Sequence, residues 1–419
     1  MKSLIKKLLP KPLVLIIFPA YHFLLAFLGA VYYRFPSRKL VVIGITGTKG
    51  KTSTTELLNN IFEADGKETA MLGTLRFKVG KKNERNLKKM TMPGRFFVQK
   101  LLRDAVDAGC THAIIEMTSE GAVQFRQRFI DMDALIFTNL APEHIESHGS
   151  YEKYRDAKLS IAHTLARSKK ENHFMIANND DKEGHLFLEV NGVTQKPFSA
   201  NDAKPTIITD QETTVTVKGV TIHSVLPGML SVYNIIAAAT CADALGISID
   251  SIKMGVEQTT VIEGRTERIF GGQLFPVIVD YAHTPDSLEA IYTAFKGYNI
   301  IGVLGNTGGG RDKWKRPVMG HIAEMHCSEI ILTNEDPYDE DPLTILNEMS
   351  SGMKEKTPTI ILNRREAIAL AITKAKNITN PAVLITGKGT DPYIMGPNGT
   401  KEVWDDRVVA KEEIVRTQA

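Results

Sequence analysis

A long apolar stretch, LVLIIFPAYHFLLAFLGAVYY at residues 13–33, contains no Asp, Glu, Lys or Arg. That is the length of a helix able to cross a hydrocarbon core of roughly 30 Å. Lys2, Lys6, Lys7 and Lys11 precede it, Tyr32 and Tyr33 close it, and Arg34, Arg38 and Lys39 follow. Both flanks therefore suit anionic headgroups, and charge does not fix an orientation. Pro19 removes one helical hydrogen bond, which permits an in-plane helix as well as a span. The pattern favours a membrane anchor over a buried or partner-docking helix, and over a signal peptide, for which no A-x-A site is present.

Beyond residue 40 the pattern changes to short β-branched runs alternating with helical spacing. Leu40 to Ile45 predicts a buried parallel strand, and Thr52 to Ala64, with Leu57, Leu58 and Ile61, predicts a helix. Ala113–Ile115, Leu135–Phe137 and Phe174–Ala177 predict further strands, and the Thr- and Val-rich alternation from Thr206 to Ser224 predicts a β-ribbon. A second alternating unit begins near Val277, with strands at Ile300–Leu304, Ile330–Leu332, Thr359–Leu362 and Val383–Ile385. The expectation is an α/β protein: a parallel sheet with helices on both faces, then a Rossmann-like unit. The boundaries are a hydrophobic segment at 1–39, a central domain at 40–270 and a C-terminal domain at 271–419.

Composition narrows the partners. The 51 basic and 48 acidic side chains leave a formal charge of +3, too balanced for a nucleic-acid surface. The three cysteines, Cys110, Cys241 and Cys327, are widely spaced and odd in number, offering neither a disulfide framework nor a zinc spacing and fitting a reducing, cytoplasmic setting for the globular part.

The turn between the first strand and helix reads TGTKGKTS, residues 46–53. Its small residues let successive backbone N–H groups face phosphate oxygens, Lys51 supplies a positive charge, and the Thr52 hydroxyl reaches a magnesium ion. Thr48, Lys49, Gly50, Lys51, Thr52 and Ser53 are thus candidate contacts to a nucleoside triphosphate. The general G-x-x-x-x-G-K-[ST] pattern is missed by one position, since Ile45 stands where a glycine belongs.

Downstream, THAIIEMTSEG (111–121) places Glu116 at the end of a strand, facing the ligand crevice as a magnesium ligand. His144 and His148 have i, i+4 spacing and would share one face of a helical turn; zinc ligation lacks a third strong ligand, and a pair of solvated loop histidines is the plainer alternative. Lys158 lies in a helical stretch.

The stretch FTNLAPEHIESHGSYEKYRDAK resembles the signature of the Mur ligases, the ATP-dependent amino-acid-adding enzymes of peptidoglycan synthesis, and in particular the UDP-MurNAc-tripeptide synthetases. Their phosphate loop has the form T-G-T-x-G-K-[ST], which accounts for the departure at Ile45. The resemblance implies magnesium ligation by Thr52, Glu116 and His144, and a carbamylated Lys158 positioning a second magnesium. It continues through LPGMLSVYNIIAAA, EGRTERI, VIVDYAHTPDSLEAI, GNTGGGRDKWKRPVMG, NEDPYDEDP and GKGTDPY, about residues 40–412. Asn234, Arg265, Asp280 and His283 fall on nucleotide-contacting positions. The implied reaction joins an amino acid to a muropeptide carboxylate through an acyl phosphate, with Lys51, Lys158, His144 and Arg265 as the catalytic set, ATP and magnesium as cofactors, and closure about a hinge near Gly264 to Asp280.

Two departures from the resemblance matter. Only about 39 residues precede the first strand, too few for the N-terminal domain that holds a uridine nucleotide in such synthetases. A lipid-linked muropeptide, met at the cytoplasmic membrane, would suit both that shortness and the apolar segment. In the amino-acid pocket, the D-N-P-R of diaminopimelate-adding enzymes is replaced by Glu335, Asp336, Pro337 and Tyr338. Loss of the arginine removes a bidentate carboxylate partner, and two adjacent acids favour the distal ammonium of a diamino acid such as lysine or ornithine. Arg311, Glu335, Asp336, Gly387 and Asp391 are the candidate amino-acid contacts. A ligase of the same fold acting on another carboxylate, such as a folylpolyglutamate or cyanophycin synthetase, and a non-catalytic nucleotide-binding membrane protein are the competing readings.

Overall fold

The computed structural model describes residues 11–418, with side chains from Ile17 onward. Lys2, Lys6 and Lys7 lie outside the described residues, as does the side chain of Lys11.

Helix α1 (Lys11–Tyr32) is continuous through Pro19. Two further helices, α2 (Lys51–Ala64) and α3 (Arg95–Asp107), follow; Ala26 and Ala30 are buried, and α1 lies against α3. Phe23 and Phe27 meet the Phe129 ring at 5.2 and 5.4 Å between centroids. Among the described residues no helix is long and apolar enough to cross a membrane. This removes the spanning form of the membrane anchor expected at residues 13–33 and leaves its in-plane form open: one side of α1 packs on the protein, while Leu24, Phe27, Leu28 and Val31 remain exposed.

The first sheet has eight strands: β1 (Val41–Thr46), β2 (Thr69–Leu72), β3 (Arg76–Val79), β4 (Lys82–Arg85), β5 (His112–Glu116), β6 (Ala134–Phe137), β7 (Phe174–Asn178) and β8 (Thr194–Phe198). Their order is β4-β3-β2-β5-β1-β6-β7-β8, parallel except for the β2-β3-β4 meander at one edge. The central strands are apolar on both faces because both are covered. Ile43 and Ile45 join Leu57, Leu58 and Ile61 of α2 and the helix Met229–Ala244 in one core. Leu40 and Val42 join Leu101 and Leu102 of α3, with Ile161 of the helix Tyr151–Leu165, in the other. Strand β1 sits between β5 and β6, where connections leave in opposite directions, so its C-terminal end opens onto a crevice.

A three-stranded ribbon, β9 (Ile207–Ile208), β10 (Thr213–Val217) and β11 (Val220–Ser224), follows as the alternation predicted. The second sheet comprises β12 (Glu267–Arg268), β13 (Val277–Asp280), β14 (Asn299–Leu304), β15 (Cys327–Thr333), β16 (Thr359–Ile361) and β17 (Pro381–Thr386), in the order β12-β13-β17-β14-β15-β16. Only β12 is antiparallel. It joins this sheet at Glu267, a few residues before the predicted boundary at 271. Between the two sheets lies a cleft of 1310 Å³.

Candidate active site

The loop after β1 is shaped by two glycines that tolerate no side chain. Gly47 has φ +144°, and a Cβ there would meet Thr138 Oγ1 at 2.0 Å; Gly50 has φ +82°, and a Cβ would meet Asn234 Oδ1 at 2.3 Å. Asn139 fixes the loop by accepting from the Lys49 amide at 3.0 Å through its side chain and from the Thr48 amide at 2.8 Å through its carbonyl. Gly50 precedes the first turn of α2, whose free amides and dipole make an anion cradle. Lys51 folds back, donating to the carbonyls of Gly47 and Thr48 at 2.9 Å each. Burial pulls its pKa below the usual lysine value, against the opposing pull of Glu116 and Glu143.

Thr52 Oγ1 donates to Glu116 Oε2 at 3.1 Å, and Arg265 donates to Thr52 Oγ1 at 3.3 Å. Glu116, 1% exposed, also accepts from the Thr74 amide and hydroxyl, both at 2.8 Å. The hydroxyl and carboxylate fit a magnesium ion, a hard cation held by one or two protein oxygens with the remaining positions left to phosphate and water. Among the described residues no cluster of three or more His, Cys, Asp or Glu side chains forms a metal cage.

His144 and His148 do not present a shared metal face. His144 precedes the short helix Ile145–His148 with φ 56°, and its Nδ1 lies 3.4 Å from Glu120 Oε1, while His148 Nε2 lies 3.1 Å from Ser119 Oγ. Lys158 is 2% exposed and donates to the Gly47 carbonyl at 2.8 Å. Burial, and then the neighbouring Lys51 charge, hold its pKa well below the usual lysine value.

The opposite wall belongs to the second sheet. Arg265 lies over the Tyr281 ring at 4.6 Å. Asp280, at the end of β13, accepts from the Thr266 amide at 2.6 Å and the Ala282 amide at 2.7 Å; burial raises its pKa despite Arg265. His283 Nε2 meets Glu143 Oε1 at 3.1 Å, and Lys49 meets Asp286 at 3.2 Å, so each wall contributes one partner to both pairs. Asp312 accepts from the amides of Ile145 and Glu146 at 3.3 and 3.0 Å, adding a third tie.

Of the predicted residues, Thr48 to Ser53, His144, Asn234, Arg265, Asp280, His283, Arg311, Glu335, Asp336, Gly387 and Asp391 line the cleft. Glu116 and Lys158 stand immediately behind the phosphate loop, through the contacts above. Asp336 is not the free acid the sequence suggested: its carboxylate receives Lys388, Lys89 and the Met395 amide. Glu335 is different, with Oε1 taking the Thr307 hydroxyl at 2.7 Å and Oε2 buried without a hydrogen-bond partner.

Sequence reasoning missed Thr74, Lys89, Asn139, Glu143 and Lys388. Glu143 stood beside His144 in the quoted signature and Lys388 inside GKGTD, so both were within reach; Thr74 and Lys89 carry no local signal.

Comparison with known proteins fits this geometry. Residues 45–242 match the Mur ligase middle domain and residues 264–389 the Mur ligase glutamate ligase domain. A UDP-N-acetylmuramoyl-L-alanyl-D-glutamate--2,6-diaminopimelate ligase of Bacillus cereus is 34% identical over 93% of this chain and 81% of its own. A UDP-N-acetylmuramyl-tripeptide synthetase of Roseiflexus sp. is 32% identical over 93% of this chain and 81% of its own. A solved structure of a UDP-N-acetylmuramoyl-L-alanyl-D-glutamate--2,6-diaminopimelate ligase superposes with TM-score 0.61 at 26% identity, covering 91% of this chain and 79% of that one. A Mycobacterium tuberculosis folylpolyglutamate synthase shares the fold, at TM-score 0.69 and 16% identity over 94% of each chain. The chain belongs to the Mur ligase family, whose members are ATP-dependent ligases that form amide bonds.

Proposed function

We propose that this enzyme joins a diamino acid to the peptide carboxylate of a muropeptide in peptidoglycan precursor synthesis, by way of an acyl phosphate. The observation that carries this reading is the continuity of one cleft from the phosphate loop to the buried, unpartnered Glu335 oxygen. A triphosphate at one end and an amine at the other then face the same space. The domains are residues 40–270 and 271–419, hinged near Gly264.

A carboxylate and an amine do not condense at neutral pH until the leaving oxygen is activated. The acceptor carboxylate attacks the γ-phosphorus of ATP, forming a carbon–oxygen–phosphorus link and releasing ADP. The neutral amine then attacks the carbonyl carbon, and inorganic phosphate departs as the amine proton is lost. Lys51, Arg265 and the first-turn amides of α2 face the phosphates and offset the charge that builds there. Asn234 and Asp280 hold the nucleotide, and His283 orients it from the opposite wall. Magnesium, held by Thr52 and Glu116, would neutralise phosphate charge. His144, steadied by Glu120, would add a further ligand to that magnesium.

Lys158 is proposed to carry a carbamate. Its amine, whose pKa burial holds well below the usual lysine value, attacks carbon dioxide and loses a proton, giving a carboxylate that would hold a second magnesium. Arg311, Gly387 and Asp391 complete the amino-acid end with Glu335, while Asp336 acts as the structural partner of two lysines.

An amino-acid panel tests the reading. Phosphate release that requires both a muropeptide and a diamino acid, with lysine or ornithine preferred to diaminopimelate, supports it; preference for diaminopimelate contradicts the distal-ammonium assignment. Running UDP-linked and lipid-linked acceptors side by side separates the two carriers.

The exposed face of α1 supports a second proposal, that the cytoplasmic enzyme rests on the membrane surface without crossing it. Leu24, Phe27, Leu28 and Val31 form an apolar stripe followed along the chain by Arg34, which suits an anionic interface. Sedimentation with phosphatidylglycerol vesicles, lost on Leu24→Ser with Leu28→Ser, is the expected result; unchanged sedimentation of that variant contradicts it.

A further inference from the structure

The amino-acid end of the cleft holds three carboxylates, Glu335, Asp336 and Asp391, and two ammonium groups, Lys388 and Lys89. Lys388 is 1% exposed and belongs to the same wall as the acids, reaching Asp336 Oδ1 at 2.8 Å, Asp391 Oδ2 at 3.0 Å and the Tyr393 carbonyl at 2.6 Å. Lys89 comes from the opposite wall, on the loop between β4 and α3. Its ammonium lies 2.9 Å from Asp336 Oδ2, 2.9 Å from Asp391 Oδ2 and 3.3 Å from the Tyr393 carbonyl.

The loop is built to hold it there. Lys89 has φ +50°, a left-handed conformation uncommon for a residue with a side chain. Asn86, 4% exposed, braces the backbone by donating to the carbonyls of Gly73 and Met90 at 2.9 and 3.0 Å and accepting from the Lys88 amide at 3.0 Å. Arg85, just before, reaches the Thr390 carbonyl at 2.7 Å and Asp405 at 2.9 Å. With both lysines seated, two acceptor atoms at this end remain buried and unpartnered: Glu335 Oε2 and Asp391 Oδ1. Such orphans mark a place where a ligand completes the set.

We propose that Lys89 is a specificity-determining residue of the amino-acid pocket: its ammonium is a resident counter-ion in the cage between Asp336 and Asp391, leaving Glu335 Oε2 and Asp391 Oδ1 to meet the substrate's distal ammonium. The inference rests on the amino-acid-adding reading of the cleft. Among these three carboxylates and two ammonium groups, one carboxylate is left uncompensated with Lys89 present and two without it. Lys89 therefore limits how strongly the pocket favours a cationic side chain, and does so from the wall that carries the phosphate loop.

The test is calorimetric binding of L-lysine and L-norleucine, side chains of equal length with and without a distal ammonium, to the full chain with a non-hydrolysable ATP analogue. Lys89→Met is expected to raise the preference for lysine over norleucine about tenfold, the size of one charge-assisted hydrogen bond gained, while Lys89→Arg keeps the wild-type ratio. An unchanged ratio in Lys89→Met, in protein whose melting transition matches wild type, overturns the proposal. So does failure of wild type to bind either amino acid. Lysine binding that responds to Lys89 as expected, with no turnover on any muropeptide, supports the proposal and overturns the acceptor assignment alone.

Discussion

Thr52 Oγ1 donates to Glu116 Oε2 at 3.1 Å, tying the first turn of α2 to the end of β5 behind the phosphate loop. Glu116→Gln keeps the shape but removes the charge beside a magnesium ion. Turnover is expected to fall about a hundredfold, as for loss of one preorganised electrostatic contact, and the magnesium concentration for half-maximal activity to rise. Titration of activity against magnesium checks this, and an unaltered magnesium requirement would show that the carboxylate holds no ion.

Gly50 admits no Cβ because its φ is +82° and the Asn234 side chain lies against it. Gly50→Ala is expected to cost about 1–3 kcal/mol of stability through backbone strain and to weaken ADP binding more than amino-acid binding. Thermal melting and ADP calorimetry on the same protein separate these effects.

Lys158→Ala is expected to abolish turnover and to regain a fraction of it with added formate or acetate, which replace the carbamate carboxylate. Full activity of the alanine variant, or no rescue by any short acid, contradicts the carbamate proposal.

Much of this arrangement was legible in the chain. Strand β1 is an apolar run because both its faces are covered, and TGTKGKTS is a local motif, so strand, loop and helix were all predicted within a residue. Glu116 closes β5 at the crevice edge, as the apolar strand ending in a carboxylate indicated, and accepts from Thr52 there. Asp336 was misjudged because its partners are remote: Lys388 stands 52 positions away and Lys89 stands 247 away. In sequence, NLKKM looks like an ordinary solvated charge pair, and only the β3-β4 meander carries it across the cleft. The apolar run at residues 13–33 was misjudged because hydropathy does not reveal that Phe125, Phe129 and α3 form a protein surface for one side of it.

Glu340 ties the loop after Tyr338 to Arg316, whose side chain is fully buried. Hydrogen bonding from Arg316 is the main cause that lowers the Glu340 pKa to about 2. A depressed carboxylate adds stability above its unfolded value, about 4.3, and loses it as pH falls toward the folded value. Glu340→Gln is therefore expected to melt below wild type at pH 5 to 8, with the gap closing as the pH is lowered from about 4.3 toward 2. Melting curves across that range check the sign; a gap that widened on acidification would contradict it.

Coupled activation and capture of a muropeptide carboxylate is read out by phosphate release with ATP and magnesium while acceptor and amino acid are supplied separately and together. Release only when both are present, with one amide-linked product formed per phosphate, is the predicted result. Release at the same rate without either partner, or none with any muropeptide and amino acid, would contradict coupled ligation by this enzyme.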